Sequence, residues 1–147
     1  MTAVMVTRGK AELIRDNKVV EQREFGNIVP TIGFQLICLA VGSYSTKTGT
    51  PSARYIAIGS SVTAPAAAQT ALGGELARGI GSYTFPTGSK YYRLEKLFPA
   101  GTGTGAVQES GQLNKPTGGA LLNRGTFAVI NKGASDTLRM TWRTEFA

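Results

Sequence analysis

The groups in this chain that could donate or take protons are few: Glu12, Asp16, Glu21, Glu24, Glu75, Glu95, Glu109, Asp136 and Glu145 are its only side-chain carboxylates. Most lie beside basic residues in alternating text, where they read as cross-strand charge partners. Glu109 stands apart, in the run Val107-Gln-Glu-Ser-Gly111 with few charges near it. Such isolation could suit a catalytic acid, but the favoured role is a carboxylate that accepts backbone amides and fixes a turn. Asp136, after Gly133-Ala-Ser, likewise reads as a turn-closing side chain. Histidine is absent, which removes the commonest general base and the commonest metal ligand. Cys38 is the single cysteine and sits in the apolar run Phe34 to Val41. One thiol makes neither an internal disulfide nor a zinc site, and in that setting a buried inert thiol is expected. No enzyme, no metal and no cofactor is expected from these residues.

Gly101-Thr-Gly-Thr-Gly105 has the glycines of a phosphate loop but not the context. Such a loop needs a following helix whose N-terminus holds the phosphate, and here a strand-like segment follows. A loop tip is expected. The formal charge is +7, from 16 Lys and Arg against 9 Asp and Glu, which suits an acidic partner surface. The basic residues are scattered singly, without the aromatic interleaving of a nucleic-acid groove, so no specific nucleic acid is expected.

The elements that would position these groups are strands. In Asp136 to Phe146, Leu138, Met140, Trp142 and Phe146 alternate with Thr137, Arg139, Thr141, Arg143 and Glu145. Period two is the mark of a strand with one buried and one wet face. This strand runs almost to the end of the chain, and no binding tail is expected after it. Other strands are expected at Arg54–Gly59, Glu75–Phe85, Lys90–Phe98, Val107–Asn114 and Leu121–Ile130, with Glu75–Phe85 and Lys90–Phe98 paired through Pro86-Thr-Gly-Ser89. Asn27 to Val41 is the one convincing helix, with Asn27 as cap, Pro30 in the first turn, Ile32, Leu36, Leu39 and Ala40 on one face, and Gly42 as terminator. It is expected to plug one end of a sandwich. Ser43 to Ser52 is expected to be a loop, and Ser60 to Gly74 a packed loop because Pro65 and Gly73-Gly74 break any helix there.

Residues 1–26 read as a charged hairpin or arm turning at Asp16-Asn17, and residues 27–147 as the β-sandwich domain. The fold class expected is all-β: a sandwich, jelly roll as the version favoured, of about eight strands with one short helix. The arm carries Arg8, Lys10, Arg15, Lys18 and Arg23. Its Val4, Val6, Leu13, Ile14, Val19 and Val20 are expected to form a strip ordered by a partner, so that removing Met1 to Glu24 would leave the sandwich folded. Tyr91 and Tyr92 complete the expected interface; with Tyr83 they also suggest a sugar-binding platform. No leader is visible, and the longest apolar stretch, Ile28 to Val41, is too short and too interrupted to cross a bilayer. A soluble protein made in the cytoplasm is expected.

Several ordered motifs carry a resemblance: Tyr55-Ile-Ala-Ile-Gly-Ser60, Thr63-Ala-Pro-Ala66, Thr70-Ala-Leu-Gly-Gly-Glu75, Val107-Gln-Glu-Ser-Gly-Gln-Leu-Asn114, Leu122-Asn-Arg-Gly-Thr-Phe127 and Asn131-Lys-Gly-Ala-Ser-Asp-Thr-Leu138. This text resembles small virion structural proteins of tailed bacteriophages. The resemblance covers Asn27 to Phe146 and leaves out the arm; Gln112 stands where an apolar residue is expected, which puts the pairing of its strand in question. It implies a homo-oligomeric capsid cement or decoration protein, located in the virion, that clamps major capsid subunits. A collar, tail or fibre-attachment protein is the alternative it implies, and a carbohydrate-binding module is a third expectation, drawn from the fold and tyrosines.

Overall fold

The computed structural model describes residues 4–42 and 52–146, and the side chains of all of these except 38–42. The expected loop Ser43 to Ser52 falls outside this set for all but its last residue, as do the side chains of Cys38, Leu39 and Ala40. Within it the chain forms nine strands and one helix: β1 Met5–Arg15, β2 Lys18–Phe25, α1 Thr31–Gly42, β3 Tyr55–Gly59, β4 Glu75–Ile80, β5 Ser82–Thr84, β6 Tyr91–Phe98, β7 Gly105–Leu113, β8 Leu121–Lys132 and β9 Thr137–Phe146. They make two antiparallel sheets, ordered β2-β1-β9-β6-β5 and β4-β3-β7-β8. The protein is an all-β sandwich. Each consecutive pair β1/β2, β3/β4, β5/β6 and β7/β8 is paired within one sheet, and the chain changes sheet after each pair. That order does not confirm a jelly roll.

The first hairpin turns at Asp16 and Asn17, both left-handed at φ 50° and 59°. Two such residues give the turn whose twist matches the flanking strands, and Asp and Asn are the non-glycine types that tolerate it. The hairpin is not a separable arm. β1 lies between β2 and β9, pairing with β9 from Met5↔Phe146 to Ile14↔Thr137. Ala11 and Leu13 are fully buried in the main core, whereas Val4, Val6, Val19 and Val20 are exposed, so the strip expected to wait for a partner is divided. The boundary expected after residue 26 therefore cuts through one sheet.

The main core lies between the sheets. Ala11, Leu13, Phe25, Leu94, Phe98, Leu138, Met140 and Trp142 face Ile56, Ile58, Val107 and Ile130. Trp142 meets Phe25 edge-on, with centroids 5.3 Å apart. Its indole N–H donates to Ser110 Oγ at 3.1 Å, and that hydroxyl donates to the Ala57 carbonyl at 2.8 Å. One serine thus satisfies a buried indole and ties the sheets together. The alternation expected in β9 holds through Trp142, but Phe146 is exposed.

Two expectations fail for local reasons. Glu75 to Phe85 is not one strand, because the chain crosses between sheets at Gly81. Its N–H donates to the Arg54 carbonyl at 2.7 Å, and a Cβ there would stand 2.7 Å from Leu94 Cγ. Only glycine lets the backbone pass so close to the core. The helix starts at Thr31, since Pro30 provides the carbonyl for Gly33 and Phe34, and Asn27 does not cap it. Instead, Ile28 pairs with Arg124 as an isolated bridge. Nor does α1 plug an end. It lies on the outer face of the four-stranded sheet, where Ile32 and Tyr55 pack on Ala57, Leu72, Leu113 and Leu121, making a third layer.

Candidate functional site

Two groupings of polar side chains stand out, one buried and one open. The buried one lies on the outer face of the four-stranded sheet, beneath the segment Ser60–Gly74. Glu109 and Arg124 project from neighbouring strands β7 and β8 and form an ion pair, Nε to Oε2 2.7 Å, with both side chains 1% exposed or less. Glu109 also accepts from the amides of Ser61 (3.2 Å), Gly73 (3.1 Å) and Gly74 (2.7 Å). Arg124 Nη1 donates to the Thr63 carbonyl and to Gln69 Oε1 at 2.9 and 3.1 Å. A 15-residue stretch without helix or strand is thus held at both ends by one carboxylate and in its middle by one guanidinium. Burying two charges is costly unless each is paired and hydrogen-bonded, and here nearly every position is filled. Arg124 Nη2 alone lacks a partner among the described residues. The expected role of Glu109, fixing a turn through backbone amides, is what the geometry shows; Arg124 is the partner that the sequence did not single out.

Asp136 is built in the same manner. It closes its turn by accepting from the Gly133 amide at 2.9 Å, and Arg15 Nε and Nη2 grip its two oxygens at 2.9 Å each. Arg15's hydrogen bond, aided by the Gly133 amide, lowers the Asp136 pKa to about 2 and raises that of Arg15. Next to it, Lys132 is 2% exposed and donates to the Pro99 carbonyl at 3.0 Å; burial lowers its pKa.

The open grouping covers the outer face of the five-stranded sheet. A groove of about 1130 Å³ is lined there by Arg8, Lys10, Glu12, Arg93, Arg139 and Arg143 together with flanking residues. Glu12 takes Lys10 at 3.2 Å and Arg139 at 3.6 Å, and Arg139 also reaches Glu95 at 3.7 Å.

The residues expected to share an interface are spread over the molecule. Arg8, Lys10 and Tyr91 lie on this outer face, and Ile14 shares the outward parity of β1. Leu13 faces the core, and Arg15 is committed to Asp136. Lys18 is exposed beside the hairpin turn, and Arg23 bonds to Glu21 at 3.1 Å and to the Val129 carbonyl at 3.4 Å. Tyr92 has the opposite parity to Tyr91 and meets Tyr83 at 5.4 Å between centroids. Its pKa is raised by burial, with a hydrogen bond to Thr144 opposing. The three tyrosines therefore do not form one platform, since the sheet separates Tyr91 from the other two.

Gln112, odd in a buried strand, is matched by Asn123 across the ladder. Asn123 Nδ2 donates to Gln112 Oε1 at 2.6 Å and its Oδ1 accepts the Gln112 amide at 3.1 Å. β7 pairs on both sides despite it. The Gly101–Gly105 run is a turn with left-handed glycines at 101 and 103, and it leads into β7 rather than into a helix. Among the described residues no group of three His, Cys, Asp or Glu side chains could hold a metal, and no helix is long and apolar enough to cross a membrane. No family model, no curated protein and no solved structure matches the chain.

Proposed function

We propose that this protein is a structural subunit of a bacteriophage virion, a cement protein that binds adjacent major capsid subunits as a homo-oligomer. The observation that carries it is the state of the free edges of the five-stranded sheet. β2 presents Val19 and Val20, each 47% exposed, and the opposite edge presents Tyr83 and Phe85, each 55% exposed. Charges and a bulge at Val20 blunt part of the β2 edge, and Pro86 follows Phe85 at the other, but exposed apolar side chains beside unpaired backbone still invite another chain. Two such edges suit a subunit clamped between neighbours. The phage-like motifs and the +7 charge, which complements an acidic shell, agree with it.

Particles assembled without the protein test the role. They should open at lower temperature or on transfer to low salt, and added protein should restore them. Intact resistance in such particles, with the protein recovered only from purified tails, would place it in the collar, tail or a fibre attachment instead.

A further inference from the structure

Three arginines stand in one row on the outer face of the five-stranded sheet. Arg143 of β9 is opposite Arg8 of β1 on one side and opposite Arg93 of β6 on the other. Neighbouring strands lie about 4.8 Å apart, and like charges placed directly opposite destabilise a sheet. The other carboxylates of the groove stand beside other cations, Glu24 being opposite Lys10. Glu12 and Glu95 are drawn toward Lys10 and Arg139. Among the described carboxylates only Glu145 touches the row, at 3.0 Å from Arg143. Arg8 and Arg93 have no carboxylate partner among the described residues.

The row is nonetheless held in place. Arg143 stacks on the Tyr91 ring with its guanidinium carbon 3.7 Å from the centroid, and Arg93 lies 5.5 Å from the same centroid. One aromatic ring therefore gathers two cations and limits their rotation. Planar guanidinium forks carried by directly opposed residues of neighbouring strands suit the oxygens of a phosphate or sulfate group, which two arginines can grip in bidentate fashion. The row also borders the groove described above, which leaves room for what the group is attached to.

We infer that Arg8, Arg93 and Arg143 form a binding site for a tetrahedral oxyanion, a phosphate or sulfate group, with Tyr91 as the positioning residue and Glu145 as the built-in competitor. The inference is independent of the proposed virion role.

Titration of the full chain with inorganic phosphate, against chloride at equal ionic strength, tests it through the arginine Nε–H resonances. Saturable shifts are expected for Arg8, Arg93 and Arg143, and none for Arg15 or Arg78, which already grip carboxylates. R93Q and R143Q should each weaken phosphate binding about tenfold. E145Q should strengthen it, an effect that a purely structural role for the row would not give. All three side chains lie on the solvent side of the sheet, so the variants should fold, and unchanged thermal melting verifies this. A short single-stranded oligonucleotide at equal phosphate concentration separates the sources. Tighter binding of inorganic phosphate assigns a free oxyanion, and tighter binding of the oligonucleotide assigns a phosphodiester. Equal shifts at every exposed arginine, or undiminished binding in R143Q, would overturn the site.

Discussion

Glu109 and Arg124 illustrate how a single pair can set the conformation of a long segment. The carboxylate serves three amides and one guanidinium, and the guanidinium reaches two further oxygens, so Ser60–Gly74 is fixed from beneath. Replacing Arg124 with Gln leaves a buried charge without its counterion, and R124Q should lose about 3–5 kcal/mol in urea denaturation. Amide exchange at Ser61, Gly73 and Gly74 should accelerate in the same variant. Glu109 was legible in the sequence because it is an acid without charged neighbours in a glycine-containing run. Arg124 was not, since its partner lies on another strand and nothing local marks it. Asp136 gives the pH dependence. Its carboxyl titrates at about 2 in the folded protein against ~3.9 in an unfolded chain. A depressed folded pKa stabilises above the unfolded value and ceases to do so as pH falls through the folded one. Stability should therefore decline as pH falls from about 4 to about 2, and D136N should flatten that part of the curve while lowering stability at neutral pH.

Among the elements, β1 departs most from its sequence-based expectation. Its outward residues Arg8, Lys10 and Glu12 announce a charged, solvated ribbon. Its inward residues Thr7, Gly9 and Ala11 are small and carry little hydrophobic signal, yet they are buried. The reason is steric: the Phe25 ring occupies the space where a Cβ on Gly9 would stand. Small residues here make room for a neighbour's large one, and hydrophobic periodicity cannot register that. β9 was legible because Leu138, Met140 and Trp142 fill the core with their own bulk. The crossing at Gly81 was illegible because one glycine serves a bulge, a bend or a strand equally well. Since β1 supplies Ala11 and Leu13 to the core and pairs along β9, deleting Met1 to Glu24 should prevent folding rather than free a soluble sandwich. Near-UV circular dichroism of the truncated chain, with loss of the Trp142 signal, is the measurement. A native spectrum would return β1 and β2 to the status of an arm.

For the molecule as a whole, the two sheets are not equivalent. The four-stranded sheet is covered on its outer face by α1 and by the stapled segment, whereas among the described residues the outer face of the five-stranded sheet is open and charged. The open sheet and its edges are therefore the contact surface that the proposed role implies. If β2 pairs with a second copy, the valines at its edge are buried in the oligomer and idle in the monomer. V19K/V20K should then leave the melting temperature of the isolated chain nearly unchanged, because substitutions at exposed positions usually shift stability by no more than about 0.5 kcal/mol. Two further charges, in place of the apolar pair, would block strand addition at this edge. Sedimentation should show an oligomer for the unmodified chain and a monomer for the variant, which should no longer bind particles. A variant that sediments as an oligomer and still decorates particles would move the interface to the Tyr83–Phe85 edge, where Y83K/F85K applies the same test to the remaining side of the sheet.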